Sequence, residues 1–252
     1  MLKICIIYNF FNVANEKEKE EAAEVLKMAD AQARAQKNKA LRANLSAAVA
    51  ARNRVKIQVA IEEVTPLVEE IPEVEEEIKH ATKVYKRLTA DHLVDIAIET
   101  RKLPDVETAV TYVKKEGLED EMGEKFNYVN NVYGRLKRLE KMRQEVVNLK
   151  QTNVAEIRSY QNPHPSVRNI MIATHVLLGH AEKEVRNWKV MQALIGKTGK
   201  QGLKRRVDDC DTDNIPLQAA KKAQNLIKGL DVDTVRDISG GAGVFFGWVS
   251  QV

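Results

Sequence analysis

A run of basic side chains in the second half of this 252-residue sequence suggests the clearest chemistry. Between 183 and 206 the acidic residue is Glu184 alone, and the basic residues are Lys183, Arg186, Lys189, Lys197, Lys200, Lys204, Arg205 and Arg206. Such a cluster attracts a polyanionic surface, and its association is steered by charge and weakened by salt. Nucleic acid and an acidic protein filament are both candidate partners. The run lacks the interleaved aromatic residues on which bases would stack, but composition alone leaves both partners open.

Other residues of reactive type form no catalytic or ligand-binding constellation. The stretch Gly196-Lys197-Thr198 is like the end of a phosphate-binding loop, but Met191 stands where that motif needs its first glycine, and no apolar strand precedes it. The aspartates at 208, 209, 211 and 213 fit a capped turn between helices better than a metal site, and the five histidines lack metal-ligand spacing. We therefore expect no enzymatic activity, no metal and no cofactor.

The composition favours an all-α protein with long helices. Charged residues make up 30% of the chain and aromatic residues 5%, with 12 glycines and 6 prolines. Two cysteines distant in sequence, Cys5 and Cys210, indicate a reducing compartment. No apolar run reaches the roughly 18 residues of a membrane span, so we expect no membrane partner. The apolar start, MLKICIIYNFF, is interpreted as a packed or partner-docked terminus rather than a signal peptide.

Helical periodicity and breaking residues divide the first 160 residues into long elements. Residues 16–63 contain neither proline nor glycine and predict one long helix with an alanine-rich stripe. Further helices are predicted over 73–101, 105–116 and 119–160, separated by Pro104 and Gly117. The last of these has apolar residues three and four apart, which predict a coiled-coil arm. They are Val132, Leu136, Leu139, Met142, Val146, Leu149, Val154 and Ile157.

Beyond that arm, two prolines in the stretch EIRSYQNPHPSVR break the helix, and shorter helices follow. An apolar face from Val167 to Leu178 ends at Gly179, a good C-terminal cap. We predict helices from Val185 to Ile195, from a cap at Asp213 or Asn214 to about 228, and from Asp233 to the end. The small residues at 239–243 suggest that another helix packs closely there. The predicted domains are a helical platform (1–130), a coiled-coil helix (131–160) and a compact bundle (161–252).

Four segments, in this order, resemble the stalk tip of dynein heavy chains, their microtubule-binding domain. They are AEIRSYQNPHPSVRNIMIATHVLLG, NWKVMQALIG, LKRRVDDCDTDNIPLQAAKKAQNLI and VDTVRDISGGAGVFFGWVSQV. In that family a coiled-coil arm reaches a proline pair, and the next helix ends in Leu-Leu-Gly. The resemblance covers about residues 149–252 and is closer to axonemal than to cytoplasmic dyneins.

The resemblance implies a bundle of dynein microtubule-binding-domain type that contacts the acidic surface of tubulin. By position, Arg168 matches a lysine of the first tip helix, and Lys200, Lys204 and Arg205 fall in the third. Arg236 lies one residue from a basic position of the last helix. We expect the first four of these side chains to be solvated and to share one face.

The sequence also departs from the family pattern. Aligned on Trp248, Asp237 takes the place of a basic residue of the last helix, and Gly247 replaces a lysine. His164 replaces the second of two adjacent prolines. The chain contains no AAA+ nucleotide-binding motif, and residues 1–130 do not match the stalk. These differences leave two functional hypotheses.

The first hypothesis is a non-catalytic microtubule-binding protein, or a piece of a dynein heavy chain, in the cytoplasm and cytoskeleton, in particular the axoneme of a cilium. The second is a structural adaptor that uses the dynein-tip fold to dock other axonemal proteins. Tubulin is the expected partner, and other axonemal proteins or a second helical chain are further candidates. With tubulin as the partner, we expect no nucleic acid.

Overall fold

The computed structural model describes the backbone of residues 2–252 and the side chains from Glu16 onward. Within that range it contains thirteen α-helices, three short 3-10 helices and no β-strand, which confirms the all-α class. None of the described helices is both long and apolar enough to cross a bilayer. The side chains of the apolar start, Cys5 included, lie outside the described residues, so the interpretations made on them stay predictions.

The helices group into two compact units. The first contains the chain up to Thr100 together with Thr108–Phe126, and the second contains Arg101–Glu107 together with Asn127–Val252. Residues 131–160 therefore belong to the same unit as 161–252. The division into domains at 130 and 160 rests on sequence motifs and stays a prediction.

The first unit is built on a hairpin of helices that the sequence predicted as one helix. Helix α1 (Leu2–Ala50) ends before a reversal in which Arg52 takes a positive φ of 49°. The side chain of Asn53 then accepts a hydrogen bond from the amide of Lys56 at 3.0 Å, which caps α2 (Arg54–Val64). The continuous helix over 16–63 is therefore wrong. The reversal lets α2 fold back and bury apolar side chains with α1: Leu45, Ala48, Ile57, Ala60 and Val64.

Helix α3 (Val74–Thr100) confirms the prediction for 73–101, and α4 (Leu103–Lys115) confirms that for 105–116 within two residues. A 3-10 helix, Thr65–Leu67, holds the first of the two prolines that separate α2 from α3. Val74 and Ala81 of α3 complete the core of the α1–α2 hairpin. The prolines therefore turn the chain onto its own core.

The predicted uninterrupted helix over 119–160 is also wrong. Helix α5 (Glu119–Asn148) has a non-helical residue at Gly123, with φ of 55°. It ends before the buried Leu149, Lys150 is extended, and α6 (Gln151–Ser159) follows. The stripe predicted as a coiled-coil seam is thus divided between two helices. Its last four members are buried in the core of the second unit: Val146, Leu149, Val154 and Ile157.

Seven further helices complete the second unit. They are α7 (Pro165–Leu177), α8 (Glu182–Val185), α9 (Trp188–Ile195), α10 (Leu203–Asp208), α11 (Leu217–Ile227), α12 (Val232–Ile238) and α13 (Gly240–Gln251). Helix α7 is central and packs against α11 and α13. Both tryptophans of the chain, Trp188 and Trp248, are buried in this unit's core. The helical character predicted for residues 161–252 is therefore confirmed.

Three predicted helix starts are displaced. The helix predicted from Val185 starts later, at Trp188. The side chain of Asn187 accepts from the amide of Lys189 and so caps α9. Asp213 and Asn214 belong to a 3-10 helix, and α11 begins after Pro216. The predicted last helix is two helices divided at Ser239, whose hydroxyl accepts from the amide of Ala242 at 3.3 Å. A side-chain cap therefore marks the new starts of α9 and α13, whereas α11 follows Pro216 without one.

The small residues of α13 allow a close approach, as predicted. A Cβ atom at Gly241 would lie 3.1 Å from Ile157 Cδ1 and 3.3 Å from the carbonyl oxygen of Asn153, both on α6. At Gly240, the preceding position, a Cβ atom would meet nothing within 4 Å. Glycine at 241 is therefore needed for packing, whereas glycine at 240 is not.

We expect Gly241→Leu to destabilise the second unit by about 1–3 kcal/mol, because the added atoms must push α6 and α13 apart. Urea unfolding followed by tryptophan fluorescence measures this, since both tryptophans report on this unit. Gly240→Ala is the matched control and should leave the midpoint almost unchanged. Equal midpoints for the two variants would contradict the close packing.

Candidate functional site

The proline turn, where the dynein resemblance begins, is fixed by side chains from α9. The indole nitrogen of Trp188 donates to the carbonyl oxygen of Tyr160 at 2.7 Å. The side-chain amide of Gln192 donates to the carbonyl oxygens of Arg158 and Tyr160 at 2.8 and 3.0 Å. These bonds satisfy carbonyl groups that a helix end leaves free. The break in the helix is therefore anchored at its C-terminal side.

Helix α7 starts with Pro165 in its first turn, a position where the missing amide hydrogen costs nothing. His164 caps it, because its Nδ1 accepts from the amide of Ser166 at 3.3 Å. At the other end Gly179 has a φ of 89°, and the amide of His180 donates to the carbonyl of His175 at 2.9 Å. This is the bonding of a Schellman cap, and it confirms Gly179 as the end of the helix.

A cluster of two histidines and an arginine lies at that C-terminal end. His175 is 1% exposed, and its Nδ1 lies 2.9 Å from the carbonyl oxygen of Met171. Its ring centroid lies 5.6 Å from that of His180, whose Nε2 lies 2.5 Å from Nη1 of Arg206. Burial lowers the pKa of His175 to about 4, and the neighbouring His180 and Arg206 act in the same direction. His175 is therefore neutral at pH 7.

Several cations of the basic run are neutralised or used inside the fold. Arg186 pairs with Glu182 at 2.5 Å, and Arg206 also donates to the carbonyl oxygen of Leu178. Arg205 pairs with Asp208 at 3.3 Å and with Asp209 at 2.8 Å. These acidic partners lie just outside the run in sequence. Their spacing of three or four residues from the arginines was the signal that could have revealed these pairs.

Lys204 corrects one sequence-based expectation. Its ammonium group donates to the carbonyl oxygen of Leu149 at 2.6 Å, across 55 residues of sequence, and the side chain is half-buried. It therefore caps the end of α5 at the break before α6, and it is not the solvated contact residue that the resemblance implies. The sequence separation explains why the pairing was missed.

We expect Lys204→Met to destabilise the second unit by about 1–2 kcal/mol, because a charged donor to a partly buried carbonyl is lost. Lys200→Met is the matched control, since Lys200 is exposed and lies in the same surface segment. Urea unfolding monitored by tryptophan fluorescence compares the two variants with the parent. A Lys204→Met protein as stable as the control would show that this bond contributes nothing.

Five cations remain available: four from the basic run between 183 and 206, and Arg168 on α7. Among the residues with described side chains, these five make no hydrogen bond or ion pair through their charged groups: Arg168, Lys183, Lys189, Lys197 and Lys200. Four of them are exposed lysines, and we call Lys183, Lys189, Lys197 and Lys200 the lysine surface. Arg168 is half-exposed on α7. The lysine surface is the strongest candidate for an interface with an acidic partner.

The residues carried over from the resemblance fall at different places. Lys204 and Arg205 line a shallow depression of about 370 Å³ together with Lys197 and Gln151. Lys200 lies in the adjoining 3-10 helix Gly199–Gln201. Arg168 and Arg236 do not line this depression, although their helices, α7 and α12, contact each other. A single common face stays a prediction.

Arg236 and Gly247, in the last two helices, have close neighbours within the second unit. The Nη1 atom of Arg236 lies 3.9 Å from Asp233, and its side-chain stem lies against Gly243. A Cβ atom at Gly247 would lie 2.9 Å from the sulfur of Met142 on α5. A side chain at position 247 would therefore require Met142 to shift.

No group of three or more histidine, cysteine, aspartate or glutamate side chains in the described part of the chain could hold a metal ion. Comparison with protein-family models, with curated proteins and with solved structures gave no match. The likeness to dynein stalk tips therefore rests on the four quoted segments alone.

Proposed function

We propose that this chain is a non-catalytic microtubule-binding protein whose C-terminal helical bundle contacts tubulin in the manner of a dynein stalk tip. One observation carries the proposal. The four segments that resemble the dynein tip contribute to a single core, through Ile157, Ile170, Trp188, Ala223 and Trp248. Side chains from all four segments thus pack together in one core, which supports the proposal.

The charge on that module supports an acidic partner. The lysine surface is exposed and has no acidic side chain paired to it among the described residues. Tubulin presents an acidic surface to the dynein tip, as the resemblance implies. An interface of exposed charges gives fast, salt-sensitive association rather than high intrinsic affinity. The proposal therefore includes a cytoskeletal location, in particular the axoneme.

Co-sedimentation with taxol-stabilised microtubules tests the proposal directly. Binding should saturate with rising microtubule concentration and weaken as salt is raised, because the Debye length falls from about 30 Å at 0.01 M to about 10 Å at 0.1 M. Microtubules treated with subtilisin to remove the acidic tubulin tails distinguish binding to the tails from binding to the tubulin body. Absence of binding even at low ionic strength would reject the proposal.

A structural adaptor is the second candidate function. It is favoured by the interactions that the cations assigned to the tubulin contact make within this chain. Lys204 is used inside the fold, Arg205 is paired twice with aspartates, and Arg236 lies between Asp233 and Asp237 in sequence. Loss of these charges would lower affinity for tubulin while the bundle is kept. A pulldown from demembranated axonemes that recovers other proteins in preference to tubulin would support the adaptor.

A further inference from the structure

The first helix carries a long segment that no other described side chain of its unit covers. Every described residue of α1 from 16 to 37 is exposed, and none of them makes a side-chain hydrogen bond or ion pair with another described residue. Three large apolar side chains lie within it: Val25, Leu26 and Met28 are 66%, 64% and 69% exposed. Among the described residues, the first side-chain hydrogen bond from α1 to the rest of the unit is that of Asn38, which donates to Glu70 at 3.5 Å.

Five apolar residues of this segment form a stripe that α1 does not use elsewhere, and Met28 lies outside it, about 110° from its centre. On a helix of 3.6 residues per turn, the stripe occupies an arc of roughly 100° and consists of Ala22, Val25, Leu26, Ala29 and Ala33. The buried residues Leu45 and Ala48 lie on a different side, about 120° away. The stripe is therefore not a continuation of the face that α1 packs against α2.

The charges of the same segment are divided between its two ends. Residues 16–24 hold five glutamates and two lysines, whereas residues 27–39 hold four basic residues and one aspartate. In a parallel pair of these helices, acidic ends would face each other and so would basic ends. In an antiparallel pair each acidic end faces a basic end of the other chain. The helix is thus electrostatically complementary to itself in one orientation.

The apolar stripe and the charges agree on one register. If two copies are antiparallel and centred near Ala29, Val25 of one chain faces Ala33 of the partner copy. Glu21 and Lys39 lie on the same edge of the stripe, and this register brings them opposite each other within one or two residues. The small alanines at the centre permit close contact between the helices. A two-fold pair of this kind closes on itself, so the stripe is not open to a third copy.

We infer that the chain forms a homodimer through an antiparallel pair of α1 helices, with the contact over residues 18–39. The occupant of the exposed stripe is a second copy of this chain. Because isolated helices gain little stability in water from propensity alone, pairing also stabilises the segment. The inference is independent of microtubule binding, since it concerns only the first unit.

Sedimentation equilibrium of the full chain tests the dimer, with two charge variants. One variant carries Glu18→Lys, Glu21→Lys and Glu24→Lys, and the other carries Arg34→Glu, Lys37→Glu and Lys39→Glu. Each variant alone should show a dimer dissociation constant at least tenfold above that of the parent, because like charges then face each other. An equimolar mixture of the two should dimerise again. Tryptophan fluorescence confirms that the second unit stays folded.

Cysteine cross-linking tests the orientation, in a background with Cys5→Ser and Cys210→Ser. A mixture of Val25→Cys and Ala33→Cys chains should form a disulfide between unlike chains. Val25→Cys alone should not, because the two positions would be about 12 Å apart along the helix axis. A parent chain that is monomeric at all concentrations, a dimer insensitive to both charge variants, or efficient cross-linking of Val25→Cys with itself would each overturn the inference.

Discussion

Reversal of three charges on the lysine surface should weaken microtubule binding by about an order of magnitude or more at low salt. The variant carries Lys189→Glu, Lys197→Glu and Lys200→Glu. These side chains are exposed and have no acidic partner among the described residues, so the change converts attraction to an acidic surface into repulsion without breaking a bond. Co-sedimentation at several salt concentrations measures the effect, and the difference from the parent should shrink as salt rises.

The matched control changes the same total charge elsewhere on the same unit. Lys221→Glu, Lys222→Glu and Lys228→Glu alter exposed residues in and just after α11. This control should lose much less affinity than the lysine-surface variant. If both variants lose affinity equally, binding depends on net charge alone and not on this surface. If the lysine-surface variant binds like the parent, the proposed contact is wrong.

This design differs from one based on the resemblance alone. Reversal of Lys204 would remove the cap on Leu149, and reversal of Arg205 would break two ion pairs with aspartates. Either change could reduce binding by disturbing the fold. Residues without internal partners separate the effect of surface charge from that of stability.

Acid should destabilise the second unit through His175, by about 3 kcal/mol between pH 6.5 and pH 4. Burial lowers the pKa of this imidazole to about 4 in the folded protein, against 6.5 for the unfolded chain. Between these values the unfolded state binds a proton that the folded state does not. Stability from this group is therefore fully present above pH 6.5 and is lost as the pH falls towards 4.

Urea unfolding followed by tryptophan fluorescence at a series of pH values measures the slope. In the parent, the free energy of unfolding should fall by up to about 1.4 kcal/mol per pH unit from this group alone. In His175→Asn, which keeps a donor near the carbonyl of Met171, the slope should be smaller by that amount. A residual slope is expected from His180, whose pKa burial and then Arg206 also lower.

The titration of His175 can also be observed directly by NMR. Its ring carbon shift should stay constant from pH 8 to pH 5, because the folded protein keeps the imidazole neutral over this range. A His175 resonance that titrates near pH 6.5, or a His175→Asn variant with the slope of the parent, would contradict the assignment. Either result would mean that the ring is solvated in the folded state.

The sequence by itself determined the features that depend on local backbone restrictions. The helical class follows from a chain rich in helix formers, and Pro165 together with Gly179 sets the limits of α7, since proline lacks an amide donor and glycine accepts a positive φ. The small residues near Gly241 also predicted a close helix contact. Each of these conclusions needs only neighbouring residues.

Only the tertiary structure decided where the helices end at positions that carry no helix-breaking residue. No proline or glycine lies within ten residues of the reversal at Arg52 or of the break at Leu149, and helix propensity favours continuation at both. The chain breaks there because burial of Ile57 with Leu45, and of Leu149 with the core of the second unit, outweighs the few hydrogen bonds lost. Burial depends on residues distant in sequence, which periodicity does not locate.

The tertiary structure also decided which basic side chains have partners within the fold. The basic run was evident in the sequence, but its available part is the lysine surface, since Lys204 binds a carbonyl 55 residues away and Arg206 contacts His180. Charge is a property of the residue, whereas availability depends on which partner the fold brings within about 3 Å. The sequence therefore predicted an acidic partner, and the structure shows which of the basic side chains are free of internal partners among the described residues.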